Sequence, residues 1–344
     1  MDLFDEIIPC MRRASAVHPL YDQIDKKTPL IKLWLKWHKF QCFNGLEECL
    51  VTVFILFLNL GITGQSNSTI DTLSIPDYAK RQRWAIGTSS ALYVGSMIAL
   101  NEAWYKDYPR SSFHSFDDSR EWLQMDKVGH VMTSYHLALV GHRSLQWAGV
   151  KEERAIVWGG LTGFFYLTGV EVLDGFSKEW GFSWYDQAAN TLGSAIMIGQ
   201  EFAWHEQRFK LKYSFHQTGY PDARPSLLGQ SVAEQMLKDY NGQTYWLSGN
   251  VASFLEEESQ FPKWLNVALG YGATGMLSGH ADSEIAPISL RQRQYYLSLD
   301  ADLSRIPTNR MGLRTLLDVL GFVKIPSPTL MIQEGKLRGS WLFW

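Results

Sequence analysis

The chain has 344 residues, a hydrophobic fraction of 46% and a net charge of −3, which leaves room for one or two domains and excludes a strongly basic nucleic-acid-binding protein. Its three cysteines, Cys10, Cys42 and Cys49, all precede residue 50, so the remainder has no thiolate metal site and no cysteine nucleophile. The motifs GxxxxGK[ST], GxSxG and HExxH do not occur, which removes the phosphate-loop, hydrolase-elbow and zincin classes.

The first 65 residues form an N-terminal segment that contains an apolar run over 50–64. The run is about 14 residues long, which is shorter than the roughly 20 residues of a membrane span and typical of a signal peptide. Gly61 and Gly64 precede Gln65 and suit a cleavage region, so we expect the mature chain to begin near Gln65. The run lies unusually far from Met1 for a signal peptide, and a retained anchor or a buried helix are the alternatives. A polar linker over 66–79 follows.

Residues 80–209 are predicted to form four apolar helices, at about 80–104, 126–147, 152–176 and 184–209. Ser183 is the predicted N-cap of the fourth helix, with Asp186 three residues later. Glycines in the third helix are unfavourable in water but allow helices to approach closely in a membrane. The sequence therefore predicts a mainly α protein in which a membrane-associated four-helix bundle precedes a smaller β-containing C-terminal region.

The C-terminal region, residues 210–344, alternates apolar and polar residues between turn signals, and four or five weak strands are predicted there. One short amphipathic helix is expected over 313–326. The chain ends on Trp344 after a strand-like segment, as outer-membrane strands often do, but the strands are too few for the eight or more of such proteins. We therefore expect a β-containing appendage on a membrane surface.

Three predicted helices carry polar pairs three or four residues apart, and the pairs are Asp126 with His130, Glu171 with Asp174, and Asp186 with Asn190. Residues at these spacings project from one face of a helix. Because polar groups in apolar helices are costly unless they meet each other or a ligand, the pattern predicts one shared polar site.

Three interpretations of this site remain open. In the first, it is a buried structural network with Lys127 as counter-charge. In the second, the six paired residues are ligands of a polar lipid headgroup or of a divalent metal, for which the oxygen-rich set favours Mg²⁺, Mn²⁺ or Ca²⁺. In the third, the site is catalytic, with His130 as a general base oriented by Asp126 or Asp186, and with the metal or Asn190 stabilising charge.

Other polar and aromatic residues are weaker candidates. His136 and His142 suit packing better than ligation, and His280 with Asp282 is more typical of a loop than of a second site. Trp180, Trp184 and Trp204 are more typical of interface anchors than of sugar-binding residues.

The spacing of the site residues resembles that of the YfiM-like family of bacterial envelope lipoproteins (domain of unknown function 2279), with a VanZ-like helical motif pattern. The resemblance covers 125–206 and rests on the following residues: Asp126, Lys127 and His130, then Glu171 and Asp174, then Ser183, Asp186, Asn190 and Gly193. It implies a location in the cell envelope and leaves the activity unassigned. Gln65 stands where a lipoprotein of this kind would carry its acylated cysteine.

The sequence thus predicts an envelope protein, membrane-associated and favouring the outer membrane or the periplasmic face, with the inner membrane as an alternative. Its predicted role is structural or lipid-handling, and the alternative is a metal-assisted enzyme acting on an envelope lipid or glycan precursor. The expected partner is membrane lipid and not nucleic acid, and the only cofactor suggested is a divalent metal. Protein partners are not indicated.

Overall fold

The structure is a computed structural model that describes residues 77–105, 108–256, 258–280 and 290–343. The predicted signal-peptide or anchor run, its cleavage region and nearly all of the linker lie outside these residues. The chain divides into two compact units, the first comprising Met1–Asp107 and Arg143–Trp158, and the second comprising Tyr108–His142 and Gly159–Trp344.

The described residues form nine helices. They are α1 (Tyr78–Leu100), α2 (Met125–Trp147), α3 (Glu152–Arg154), α4 (Thr162–Asp174), α5 (Trp184–Trp204), α6 (Tyr220–Ala223), α7 (Pro225–Leu228), α8 (Val232–Lys238) and α9 (Met311–Leu320). Helices α1, α2, α5 and α9 occur close to where a helix was predicted, the third predicted helix is divided into α3 and α4, and α6, α7 and α8 were not predicted. Short π-helical turns follow α1 at Asn101–Tyr105 and α3 at Ala155–Gly159, and 3-10 turns lie at Glu121–Gln124, Val251–Phe254 and Leu303–Arg305. The predicted N-cap of α5 is confirmed, because the Ser183 side chain accepts a hydrogen bond from the Asp186 backbone N–H.

In the first unit, a small apolar core is formed by Ile86 of α1 with Leu145, Val150 and Ala155. The Arg81 side chain lies over the Trp147 ring, 5.3 Å from its centroid, and donates a hydrogen bond to the Trp147 carbonyl. These contacts fix the start of α1 against the end of α2.

In the second unit, six strands form one antiparallel sheet in which every strand pairs with its neighbour in sequence. The strands are β1 (Phe209–Phe215), β2 (Gln243–Asn250), β3 (Leu265–Thr274), β4 (Gln292–Ala301), β5 (Ser327–Gln333) and β6 (Lys336–Phe343). The sheet curves, so that Phe343 of β6 packs against Trp246 of β2 at a ring distance of 6.1 Å.

Helices α2 and α5 pack on this sheet. Tyr135, Ala138 and Met197 form a buried cluster against which Leu211 of β1 packs. Met125, at the start of α2, joins Ala273 and Met276 at the end of β3. In both clusters, residues of the helices that carry the predicted polar site pack directly against the sheet.

The predicted fold class is wrong: a four-helix bundle with a smaller β-containing appendage is not observed. The first predicted helix and residues 143–158 belong to a different compact unit from α4 and α5, and the C-terminal half supplies a six-stranded sheet that packs with α2 and α5. Helical spacing identifies an apolar face, but a neighbouring strand can bury that face as well as another helix can.

One segment among the described residues, Glu152–Asp174, is long and apolar enough to cross a membrane, and 39% of it is buried within the protein. Core helices of soluble proteins meet the same criteria, and this segment is interrupted by the π-helical turn at Ala155–Gly159. Length and composition alone therefore do not make it a membrane span.

Candidate functional site

The candidate site begins at a left-handed turn that leads into α2. Trp122, Leu123 and Gln124 have φ values of 47°, 50° and 64°, a conformation that costs L-residues roughly 1–2 kcal/mol each. Surrounding groups hold the turn in place: the Tyr271 hydroxyl donates to the Leu123 carbonyl, and Arg293 donates to the Gln124 side chain at 2.5 Å. The turn delivers Asp126 and Lys127 to the junction of α2, α5 and the sheet.

Lys127 lies at the centre of three carboxylates. Its Nζ pairs with Asp118 and lies 3.2 Å from Asp126 Oδ2 and 3.0 Å from Asp186 Oδ1. The Asp118 and Asp186 side chains are almost completely buried, and Lys127 is only 12% exposed. The ammonium group therefore occupies the position at which a cation would neutralise this cluster.

His130 lies one turn further along α2 and connects α2 to α5 and α4. Its Nδ1 lies 2.9 Å from Asn190 Oδ1 and 3.7 Å from Glu171 Oε1. Its Nε2 faces Asp126 Oδ1 at 3.9 Å, which is an ion-pair distance and not a hydrogen bond. The imidazole thus bridges an amide and two carboxyl groups that come from three different helices.

Two further groups complete the arrangement around Asp126 and Asp118. The Tyr240 hydroxyl donates to Asp126 Oδ1 at 2.7 Å, and the Ser183 hydroxyl donates to Asp118 Oδ1 at 2.6 Å. The backbone N–H of Ser183 donates to Glu171 Oε2 at 3.1 Å. Ser183 therefore caps α5 and ties together two carboxyl groups of the site.

A second polar layer lies one turn below His130. The Ser134 hydroxyl donates to the Asn190 carbonyl at 2.6 Å and lies 3.0 Å from the Ser194 hydroxyl. A Cβ at Gly193 would lie 2.2 Å from the Val131 carbonyl oxygen, so only glycine allows α2 and α5 to approach this closely. The hydrogen bonds of the Ser134 hydroxyl, at the point where α2 crosses α5, hold Asn190 beside His130.

Burial governs the electrostatics of the site. It raises the pKa of Glu171 to about 9, with help from the charge of Asp174. It also raises the pKa of Asp186 to about 10, together with the charge of Asp126 and a hydrogen bond with Asp118 and against the opposing charge of Lys127. The pKa of Asp126 is lowered instead, because the attraction of His130 and Lys127 outweighs its burial. At neutral pH the site therefore holds an ionised Asp126 beside two carboxyl groups that favour the protonated form.

The geometry is also compatible with a small cation. One ligand atom from each of Asp126, His130 and Asp186 lies within 4.8 Å of the others. The buried Asn190 Nδ2 has no hydrogen-bond partner among the described residues, and neither has Asp186 Oδ1, although the latter lies at ion-pair distance from Lys127. Because amide orientations are assigned from hydrogen bonding, a flipped Asn190 would present its oxygen instead.

Of the six residues predicted from spacing, the structure brings five into direct contact or ion-pair distance: Asp126, His130, Glu171, Asp186 and Asn190. The sixth, Asp174, is half-buried and acts on Glu171 through its charge. Two participants, Asp118 and Tyr240, were missed. Asp118 lies in a polar loop outside any helical pattern, and Tyr240 contacts Asp126 across 114 residues of sequence, so no local spacing signals either of them.

The weaker candidates lie apart from these contacts. His136 Nε2 lies 2.8 Å from the Leu211 carbonyl and connects α2 to β1, while His142 is buried. His280 is largely exposed and pairs with Glu121 at 3.1 Å, and Asp282 lies outside the described residues. Trp180 packs edge-on against Tyr108.

A family model described as a predicted periplasmic lipoprotein (DUF2279) matches residues 113–199. The match begins before Asp118 and ends beyond Ser194, so it contains all of the site residues described above except Tyr240. No curated protein and no solved structure matches the chain. Over 113–199 the chain is therefore similar to a family of predicted periplasmic lipoproteins, which is consistent with an envelope protein of unassigned activity.

Proposed function

We propose that this chain is a structural protein of the cell envelope that acts without catalytic turnover, and that its polar site clamps α2, α4 and α5 to the sheet. The observation that carries this proposal is the position of Lys127, whose ammonium group contacts Asp118, Asp126 and Asp186. A site with its own internal cation does not need a metal to balance its charge. Its bonds join three helices and, through Tyr240, the segment that leads into β2.

The charge balance supports a structural role. Burial favours the protonated forms of Glu171 and Asp186, which reduces the negative charge that Lys127 has to offset. Buried carboxyl groups that are protonated can donate hydrogen bonds and fix helix register. A network of this kind holds elements together.

We place the protein at the periplasmic face of an envelope membrane, with the outer membrane favoured. The similarity of 113–199 to predicted periplasmic lipoproteins supports this location, as does the spacing shared with YfiM-like and VanZ-like sequences. The proposal does not require lipidation.

The second candidate function is divalent-metal binding, and with it metal-assisted chemistry on an envelope lipid or glycan precursor. It is favoured by the close approach of Asp126, His130 and Asp186. In this case Asp126 and Asp186 would supply oxygen ligands and His130 a nitrogen ligand.

The first experiment compares Lys127→Met with wild type and with Lys178→Met, in which an exposed lysine of the same unit is replaced. Lys127→Met leaves buried carboxylates without their cation, so we expect a loss of about 3–5 kcal/mol in unfolding free energy. We expect Lys178→Met to change stability by less than about 0.5 kcal/mol. Denaturant unfolding in the detergent or buffer that keeps the wild type folded measures both values.

Elemental analysis separates the two candidates. Under the structural proposal, wild-type protein purified without chelator carries no stoichiometric metal, and its melting is unchanged by chelator or by added Mg²⁺, Mn²⁺, Ca²⁺ or Zn²⁺. Metal at one equivalent that His130→Gln removes, in a variant that still melts cooperatively, would establish the second candidate and reject the first.

A further inference from the structure

The sheet of the second unit has an unusual distribution of polarity between its two faces. Its inward face holds an apolar cluster of Trp246, Ala268 and Tyr296 beside a polar region in which Lys212 pairs with Asp300 at 2.7 Å with both side chains fully buried, and the Ser248 hydroxyl donates to Asp300 at 2.6 Å. Asn266 and Thr329 continue this hydrogen-bonded interior. A sheet in water ordinarily buries its apolar side chains and exposes its charges, so a buried ion pair behind an exposed apolar face is unusual.

The outward face carries apolar side chains in rows that run across the strands. Strand register aligns Leu247, Leu269, Leu297 and Leu330 in one row. A second row contains Tyr271, Tyr295, Ile332 and Leu337, and a third contains Val267 and Leu299. Most of these side chains are exposed, for example Leu269 at 58% and Leu297 at 47%. The rows form one continuous surface, hereafter the outward apolar face.

Helix α2 and the turn before it cover the β1 side of this surface and one corner of β3. Leu211 of β1 packs in the cluster of Tyr135 and Met197, and Tyr245 and Tyr271 pack around Met125. The leucines of the remaining rows keep 40% to 65% of their surface exposed among the described residues, from Leu247 on β2 to Leu337 on β6. Exposure is therefore not a general property of the sheet but begins where the helical layer ends.

Charged and aromatic residues lie at the two ends of the exposed rows. Arg293, Glu334 and Lys336 are exposed at one end, and Lys263 and Trp264 are exposed at the other, directly before β3. The outward positions between these ends, from Val267 to Tyr271 and from Tyr295 to Leu299, carry no charge. An uncharged band between charged and aromatic ends complements the cross-section of a lipid bilayer.

A second apolar surface lies in the same unit, on α9. Leu313, Leu316 and Leu320 are exposed at helical spacing, and Arg310 and Arg314 are exposed beside them. A short helix with an exposed apolar side and neighbouring arginines is typical of the membrane interface.

We propose that the outward apolar face, from Leu247 on β2 to Leu337 on β6, is seated against the acyl chains of a lipid bilayer. The face offers few hydrogen-bonding groups, as expected for contact with acyl chains and unlike the mixed composition of most protein interfaces. This inference does not depend on the polar site or on its metal content.

The test places an environment-sensitive fluorophore on the full chain after Cys10, Cys42 and Cys49 have been replaced by serine. One variant carries the label at Leu297→Cys, in the centre of the outward apolar face. The matched control carries it at Lys336→Cys, at the charged end. Each labelled protein is reconstituted into vesicles of phosphatidylethanolamine and phosphatidylglycerol that contain a nitroxide lipid, with the nitroxide either deep in the acyl chain or at the headgroup.

We expect the emission of the Leu297→Cys label to shift to the blue in vesicles and to be quenched more strongly by the acyl-chain nitroxide. The Lys336→Cys label should be quenched more strongly by the headgroup nitroxide. Leu297→Arg should weaken partitioning into the same vesicles by on the order of tenfold or more, because charge on a lipid-facing strand position is costly. The labels at Leu297→Cys and Lys336→Cys serve as each other's control, because one reports the acyl-chain depth and the other the headgroup depth.

Three outcomes would overturn the proposal. The Leu297→Cys label could remain in a water-like environment in vesicles. The label could be shielded from water before lipid is added and be quenched by neither nitroxide. That result would mean that another segment of this chain, from residues 1–76, covers the face. The label could be shielded only at high protein concentration, with dimers seen by light scattering, which would assign the face to a second copy.

Discussion

Asp186 and Glu171 differ from ordinary carboxyl groups because burial shifts both toward the protonated form. Their pKa values rise from 3.8 and 4.5 to about 10 and about 9. The folded protein therefore holds two protons that the unfolded chain releases once the pH exceeds about 4.5. Asp118, Asp126, Lys127 and His130 face these groups, and Lys127 opposes the rise at Asp186.

We predict that the free energy of unfolding falls as the pH rises from about 5 to about 9, by up to about 1.4 kcal/mol per pH unit for each group. The sign follows because a raised pKa in the folded state stabilises the protein fully below the unfolded pKa and progressively less above it. Asp186→Asn should make the slope shallower, whereas Asp222→Asn on exposed α6 should leave it unchanged. Denaturant unfolding at a series of pH values measures these slopes.

The same series distinguishes a bound metal. A divalent cation displaces the carboxyl protons and binds more tightly as the pH rises, so metal-loaded protein would become more stable toward alkaline pH. A slope that is positive in wild type and becomes negative after treatment with chelator would contradict the proton-held network.

Helical spacing predicted the site residues that α2, α4 and α5 present to one another, because pairs three or four apart share a face. The two residues that it missed share no helix with their partners. Asp118 reaches Lys127 and Ser183 from a loop, and Tyr240 follows α8. The spacing of residues along a helix therefore predicts the site residues that lie on helices and misses those that lie in loops.

At the scale of the elements, the crossing of α2 and α5 depends on glycine. Gly193→Ala would place a methyl group 2.2 Å from the Val131 carbonyl oxygen, so we expect a loss of about 1–3 kcal/mol in unfolding free energy. Gly199, two turns further along the same helix, has open space around its Cα. Gly199→Ala should therefore stabilise the protein by about 0.5–1 kcal/mol through helix propensity.

Thermal melts of the two alanine variants in parallel check this pair of expectations. Equal effects at both positions would mean that helix propensity, and not the closeness of α2 and α5, determines the result.

The last two strands show that an alternating sequence pattern does not reveal a tight turn within it. Residues 328–344 were interpreted as one strand-like segment, yet β5 and β6 form a hairpin closed by Glu334 and Gly335. Both turn residues have positive φ, at 50° and 72°, which is the geometry of a two-residue hairpin turn. Alternation continues through such a turn with little interruption, so the sequence predicted four or five strands where the described residues form six.

At the scale of the whole second unit, bonds between α2 and the sheet predict that the two unfold together. The Tyr240 hydroxyl donates to Asp126, the Tyr271 hydroxyl donates to Leu123, and Met125 is buried against Ala273. We expect Lys127→Met to accelerate amide hydrogen exchange in β2–β4 as well as in α2, and Lys178→Met to accelerate neither. Acceleration confined to the helices would indicate a separable bundle.

The fold class was predicted wrongly because apolar patterning does not specify which element covers a face. The apolar side of α2 fits another helix as well as it fits β1 and β3, and the burial of Leu211 and Ala273 becomes apparent only from the contacts. The alternation of β3 and β4 was interpreted correctly as strand, but the pattern did not show that the side carrying Leu269 and Leu297 is the exposed one.

The order of the strands has a consequence for the way the protein acquires its shape. Because each strand pairs with the next one in sequence, the sheet can grow by adding one strand at a time, and none of its pairings joins strands that are distant in the strand order. The contact between Asp126 and Tyr240 instead closes a loop of more than a hundred residues and carries a larger entropic cost. We therefore expect neighbouring strands to pair before the Tyr240 hydroxyl reaches Asp126, and this last contact to form late in folding.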